Sequence, residues 1–250
     1  MSEQLKIKLT DDEKRAMCNV ISSAIDANNE IFSQLSTTNG WPITFWDNIA
    51  SKMEEEFEAI NCKPFIVRRG CWEFSILYIR GHILLFMREK RFTEIQKLFN
   101  KNSENTHYLP NLATILNADI PVNQQNLFYL NKRIEKAKEV TEKVLKEIYA
   151  ANEKIERLCV VLFEADKGSL YSIRLVLVNG ALEVCDQINL NEYIERTQSV
   201  VADSVTEYPE MAPVDPTKSL RFTPKAESKK ANKERQFKKE NTQKGLKSIK

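Results

Sequence analysis

Two blocks of short apolar runs, one on each side of a helical middle, constrain this chain more than any other feature of its sequence. Phe65–Arg69, Trp72–Ile79 and His82–Met87 are aromatic or β-branched runs parted by Gly70 and by Arg80-Gly81, the pattern of a three-stranded antiparallel meander. Cys159–Glu164, Leu170–Val178 and Leu182–Ile188 form the second block, with Asp166-Lys167-Gly168 and Asn179-Gly180 between them. Asn-Gly between two apolar runs predicts a hairpin.

Elsewhere the apolar spacing is helical. Over 11–35, Ala16, Met17, Val20, Ile21, Ala24, Ile25, Ile31 and Phe32 recur at mostly three- and four-residue intervals behind the capping signal Thr10-Asp11-Asp12-Glu13. After a turn at Asn39-Gly40-Trp41-Pro42, Phe45, Ile49, Met53, Phe57 and Ile60 mark a second helix, and Phe92, Ile95, Leu98 and Phe99 a third. A weaker helix or turn is expected around Leu112–Leu116, and a short helix over Asn191–Val200. The longest helix is predicted over Gln124–Leu158, where Leu127, Leu130, Ile134, Ala137, Val144, Ile148, Ala151, Ile155 and Leu158 nearly trace a coiled-coil stripe. Such a stripe either packs across the sheet of its own domain or pairs between subunits, so a homo-oligomer through 124–158 is one expected assembly. The fold class expected is α+β: N-terminal helices, antiparallel β-meanders packed on a long central helix, and a disordered basic C-terminal tail.

Composition bounds the compartment. Of the 250 residues 42% are hydrophobic and twelve are Phe, enough for a sizeable core in one large domain or two small ones. Cys18, Cys62, Cys71, Cys159 and Cys185 are odd in number and contain no C-x-x-C pair, so neither a disulfide framework nor a zinc site is indicated. Met1-Ser-Glu-Gln-Leu lacks a basic n-region, and Ile83–Met87 and Cys159–Phe163 are too short to span a bilayer. A soluble, cytoplasmic protein with reduced thiols and no membrane partner is expected.

Charge is divided along the chain. From Thr217 to Lys250 there are twelve Lys or Arg against three Glu, a net of +9, which leaves −7 on residues 1–216. Pro209, Pro213, Pro216 and Pro224 interrupt periodicity past Val200. The organisation expected is an acidic globular body over 1–202, with a sub-boundary near 105–125, then a Pro-containing linker over 203–217 and a disordered basic tail over 218–250. Within the tail, Lys229, Lys230, Lys233, Arg235, Lys238 and Lys239 surround Phe237. Lysine-rich segments gain salt-sensitive affinity for DNA or RNA by releasing condensed counterions, and contact backbone phosphate without reading bases. A solubilising tail, a localisation signal, or a segment that docks on the acidic body or on a protein partner would share this composition.

A second basic cluster, Arg68, Arg69, Arg80, Arg88, Lys90 and Arg91, is interleaved with Trp72, Tyr78 and Phe92. Arginines and aromatics on one sheet face stack bases while binding phosphate, and Arg68, Arg69, Arg88 and Arg91 are the candidates there. Adjacent Arg68 and Arg69 must point to opposite faces of a regular strand, and the bland alternative is an ordinary solvated sheet face. His82, at a strand start, and His107, in His-Tyr-Leu-Pro, are expected to be hydrogen-bonding structural residues. Cys71 is expected to be inert. The six glycines form no phosphate-cradling loop.

The order helix, three strands, helix over 44–100 resembles the core of the restriction-endonuclease-like nucleases. That resemblance implies a divalent metal, Mg²⁺ or Mn²⁺, held by oxygen ligands while a water attacks phosphorus. Glu56, Glu73, Glu89 and Lys90 would be its catalytic set. The chain departs from the pattern, because the second strand has no Asp and Arg88-Glu89-Lys90 lacks the carboxylate-x-lysine spacing. Arg68-Arg69-Gly70-x-Trp72-Glu73-Phe74, Phe86–Phe92 and His107-Tyr108-Leu109 resemble an uncharacterised bacterial family of about this length, over 40–190. That likeness implies a bacterial source and a phage-conflict or toxin–antitoxin setting, and brings no catalytic residue and no cofactor with it. The function expected is that of a noncatalytic nucleic-acid-binding or regulatory protein, with a metal-dependent nuclease and an antitoxin-like protein–protein regulator as the alternatives.

Overall fold

The structure is a computed structural model that describes residues 7–58, 60, 62–69, 72–100, 107–122, 134–151 and 153–194. Helix α1 (Asp11–Ser33) begins at the cap that its sequence announces. The Thr10 hydroxyl accepts from the Glu13 N–H at 3.2 Å, and the Glu13 carboxylate accepts from the Thr10 N–H at 2.7 Å. These reciprocal bonds satisfy amide hydrogens that a helix start otherwise leaves unpaired. In α2 (Trp41–Glu58), Trp41, Phe45, Ile49, Met53 and Phe57 are buried at four-residue spacing, so one stripe faces the core. Asn28 ties the two helices together, donating to the Trp41 carbonyl at 3.0 Å and accepting from Asn48 at 3.1 Å.

Strands β1 (Lys63–Arg69), β2 (Trp72–Ile79) and β3 (His82–Arg88) form the expected meander. Ile79 pairs with His82, which leaves Arg80-Gly81 as a two-residue turn with φ of 46° and 81°. Positive φ at both central positions is what a type I′ hairpin requires. A Cβ at the second would also crowd Cγ of Glu156 at 3.0 Å, and the Glu156 N–H donates to the Gly81 carbonyl at 2.6 Å. After α3 (Glu89–Asn100), α4 (Tyr108–Leu116), α5 (Ile134–Val144) and α6 (Lys146–Ala150), the chain re-enters the sheet as β4 (Arg157–Ala165), β5 (Leu170–Val178) and β6 (Val184–Asn189), ending in a 3₁₀ turn at Asn191–Tyr193.

The two meanders are halves of one sheet. Its strand order is β1-β2-β3-β4-β5-β6, antiparallel throughout except that β3 and β4 run parallel from His82↔Arg157 to Arg88↔Phe163. A parallel neighbour requires a long crossover, and α3 to α6 provide it. Strands from both sides of 105–125 therefore share one sheet. Period-two alternation divides the core into two layers. Leu77, Ile79, Leu84, Phe86, Val161, Phe163, Ile173 and Leu175 pack with α1 and α2, whereas Ile76, Ile83, Leu85, Met87, Val160, Leu162 and Val176 pack with residues of α3 to α6. Helices thus cover both faces of the α+β body, instead of one long helix underlying the strands.

The long helix expected over 124–158 is corrected by these residues. Residues 123–133 lie outside those described; from Ile134 the helix runs to Val144, breaks at Leu145, resumes over Lys146–Ala150, and Leu158 belongs to β4. Two interactions favour the strand over a continued stripe. Leu158 pairs with Ile83 in the parallel ladder, and Asn117 grips its backbone, accepting from the Leu158 N–H at 3.0 Å and donating to its carbonyl at 2.9 Å. The second hairpin also differs: Leu182, at φ 62°, is fully buried in the turn, and β6 starts two residues later, at Val184. The linker and tail expected over 203–250, and the helix expected over Asn191–Val200 beyond Ile194, fall outside the described residues.

Candidate functional site

Three cations of the first meander's basic cluster, Arg68, Arg80 and Arg91, face carboxylates. Arg68 of β1 pairs with Glu73 across the β1–β2 ladder at 2.6 Å, and Arg91 on α3 pairs with Glu94 one turn on at 3.1 Å. Exposed pairs of this kind stabilise little, about 0–1 kcal/mol each. Arg69 lies opposite Trp72 in the backbone register, and the side chains of both are outside those described.

Arg88 is different. It closes β3 on the α1/α2 face, half-buried, with its guanidinium 4.9 Å from the ring centre of Phe45, 5.9 Å from Phe163 and 6.0 Å from Trp41. Its hydrogen bond goes to the Ala165 carbonyl at 3.1 Å, and it has no carboxylate partner among the described residues. Burial pulls its pKa below the ordinary arginine value without discharging it at neutral pH. The aromatic faces stabilise the cation where a carboxylate would otherwise be needed. Lys167 lies 5.9 Å from the Trp41 ring on the same rim.

The residues required for a metal-dependent nuclease are not brought together. Glu73 is engaged by Arg68 on the exposed end of β2. Glu89, at the start of α3, holds Arg174 of β5 through both carboxylate oxygens. Glu56 accepts from Asn19 between α1 and α2 at 3.4 Å, and Lys90 is exposed on α3. Among the described residues no group of three or more His, Cys, Asp or Glu stands where it could hold a metal ion. His82 is buried, with Nδ1 3.0 Å from the Arg80 carbonyl, and His107 caps α4 by accepting from the Leu109 N–H at 3.2 Å. Cys71 lies outside the described residues. Burial pushes the Cys18 and Cys159 thiols up to about 12 and Cys62 to about 11, which removes the thiolate that nucleophilic chemistry needs.

What the sequence does not announce is an opening in the sheet. The β2–β3 ladder runs from Ile79↔His82 to Ile76↔Leu85 and stops there. Beyond that point β2 stays with β1 as far as Trp72, and β3 stays with β4 as far as Arg88. Glu73–Ser75 and Phe86–Arg88 therefore part company. The space between them is a cavity of about 640 Å³ that reaches from α2 on one face, through Trp46, Ile49 and Met53, to Tyr108 of α4 on the other. Asp47, Glu73, Arg91 and His107 add polar groups to a wall that is otherwise apolar. Ser75 Oγ lines it, shut off from solvent and with no hydrogen-bond partner among the described residues. A hydroxyl left in that state costs about 1–3 kcal/mol. The one trace in the sequence is the alternation Glu73, Ser75, Leu77, Ile79, where polar residues replace apolar ones on a core-facing register.

Among the described residues no helix is long and apolar enough to cross a membrane. Over residues 6–241 the chain matches the profile of a family of unknown function (DUF5986). The match reaches well beyond the 40–190 expected from the sequence, taking in both meanders and most of the basic segment. No curated protein and no solved structure matches the chain.

Proposed function

The chain belongs to that family of unknown function, and on this premise we propose that it is a noncatalytic nucleic-acid-binding regulator of the cytoplasm, held to its partner by the cationic C-terminal arm. The observation that carries this is the division of charge, +9 on residues 217–250 against −7 on the remainder. An acidic body repels phosphate, so affinity for a polyanion has to come from a segment of opposite sign. The extent of the family match supports it, because Lys229, Lys230, Lys233, Arg235, Lys238 and Lys239 all fall before residue 241. On the body, Arg88 is the best placed of the four candidate arginines, since Arg68 and Arg91 already face carboxylates. Phosphate contacts of this type are sequence-independent.

Binding of single- and double-stranded RNA and DNA by the full chain, compared with a chain truncated after Pro216 across a salt series, tests the proposal. The full chain is expected to lose roughly 10³–10⁵ in affinity between about 50 and 200 mM salt if six to ten phosphates are contacted. The truncated chain is expected to bind weakly with a shallow salt slope. Equal binding by the two chains would overturn the role of the arm.

A further inference from the structure

We infer that the opening between β2 and β3 is a binding site for a planar aromatic molecule bearing a protonated amine, a site that does not depend on the C-terminal arm. Its volume of about 640 Å³ lies within the roughly 300–1,000 Å³ of small-molecule pockets, and an apolar wall with a few convergent polar groups is their usual lining. Flat rings suit the walls. Tyr108 stacks on Phe74 with centroids 4.3 Å apart and planes 12° from parallel, and Trp46 brings another ring to the same space. Trp46 and Ile43, 39% and 56% exposed, extend the apolar surface outward from the cavity. Exposed aromatic surface continuous with a cavity is characteristic of ligand grooves.

Ser75 supplies the anchor. Its hydroxyl both donates and accepts, is sealed from solvent and has no partner among the described residues, so a polar substituent entering the cavity would complete it. Charge selects the ligand's sign. Glu73 is matched by Arg68 and Arg91 by Glu94, whereas Asp47 has no ion-pair partner among the described residues. Among the described residues the uncompensated charge on the lining is therefore negative, and aromatic faces add attraction for an ammonium group.

Indole, tryptamine and indole-3-acetate share one ring system and differ in charge, which makes them suitable probes. Titrated into the full-length protein and followed by saturation-transfer NMR and calorimetry, tryptamine is expected to bind about tenfold more tightly than indole-3-acetate, with indole between them. Ser75→Ala is expected to weaken all three by about fivefold. Asp47→Asn is expected to erase the charge ranking while leaving indole unchanged, and Ala50→Phe, by filling the cavity, to abolish binding in a chain whose circular dichroism is unaltered. Should Ala50→Phe fail to fold, the first two variants still decide the matter. Absence of binding by all three compounds at millimolar concentration, a reversed charge ranking, or binding indifferent to both Ser75→Ala and Asp47→Asn would overturn the site.

Discussion

The seam between β3 and β4 and the seam between β2 and β3 belong to one sheet and differ in almost every other respect. The first is closed along its length, from His82↔Arg157 to Arg88↔Phe163, and Leu84, Leu85, Cys159, Val160 and Val161 at its centre are all within 1% of full burial. The second is closed for four residues at the turn and open beyond. Where it opens, core-facing positions carry Glu73 and Ser75 instead of aliphatic residues. Continuous pairing with apolar side chains on both faces gives rigidity, and a polar interruption in the same sheet gives room for something other than protein.

Mutations that touch the two seams should separate them sharply. The largest effect is expected at the closed seam, where Phe163 is fully buried against Phe45 and Trp46. Phe163→Ala should cost about 3–5 kcal/mol in urea unfolding; a cost comparable to that of a surface substitution would break the contrast. Next comes Asn117→Ala. Its amide holds the Leu158 backbone at 2.9 and 3.0 Å and the Val178 carbonyl at 2.6 Å, so its removal strands buried backbone groups and should cost about 3 kcal/mol.

Alkaline pH sharpens the comparison further. Cys159 and Cys18 have thiols raised from 9.0 to about 12 by burial, so the folded chain keeps them neutral where the unfolded chain ionises them. This stability is complete below about pH 9 and is lost progressively as pH rises through 12; by about pH 10 the loss amounts to about 1 kcal/mol per thiol. Cys159→Ala should reduce the alkaline decline in the unfolding midpoint, and an unchanged decline would contradict it. The smallest effect is expected at the open seam. Ser75→Ala deletes a hydroxyl that has no partner among the described residues, so stability should stay level or rise by up to about 1 kcal/mol. A marked loss would mean that Ser75 is bonded after all.

Much of this body was legible in the sequence. All six strands lie within about two residues of the runs that announce them, because alternation, Arg80-Gly81 and Asn179-Gly180 are local signals. The Thr10 cap and the stripe from Phe45 to Phe57 are local too. The parallel pairing of β3 with β4 was not legible, since strand neighbours separated by so long a crossover leave no mark in either run. The stripe to Leu158 misled because spacing near 3.5 fits Ile155 and Leu158 whether they end a helix or enter a strand. Of the site residues, Arg88 was singled out among aromatics, but its actual ring partners Phe45, Phe163 and Trp41 come from distant segments. The opening beside Ser75 is defined by where a ladder stops, a property of tertiary register that no single strand encodes.

The parallel ladder has a consequence for biosynthesis. A ribosome releases β3 long before β4, so the most apolar strand of the first half waits with one hydrogen-bonding edge uncovered until Ala165 has emerged. An uncovered edge of that kind recruits strands from other molecules. Chains interrupted between Arg88 and Arg157 are therefore expected to aggregate more readily than the complete one, because the edge of β3 is covered only once the crossover is complete.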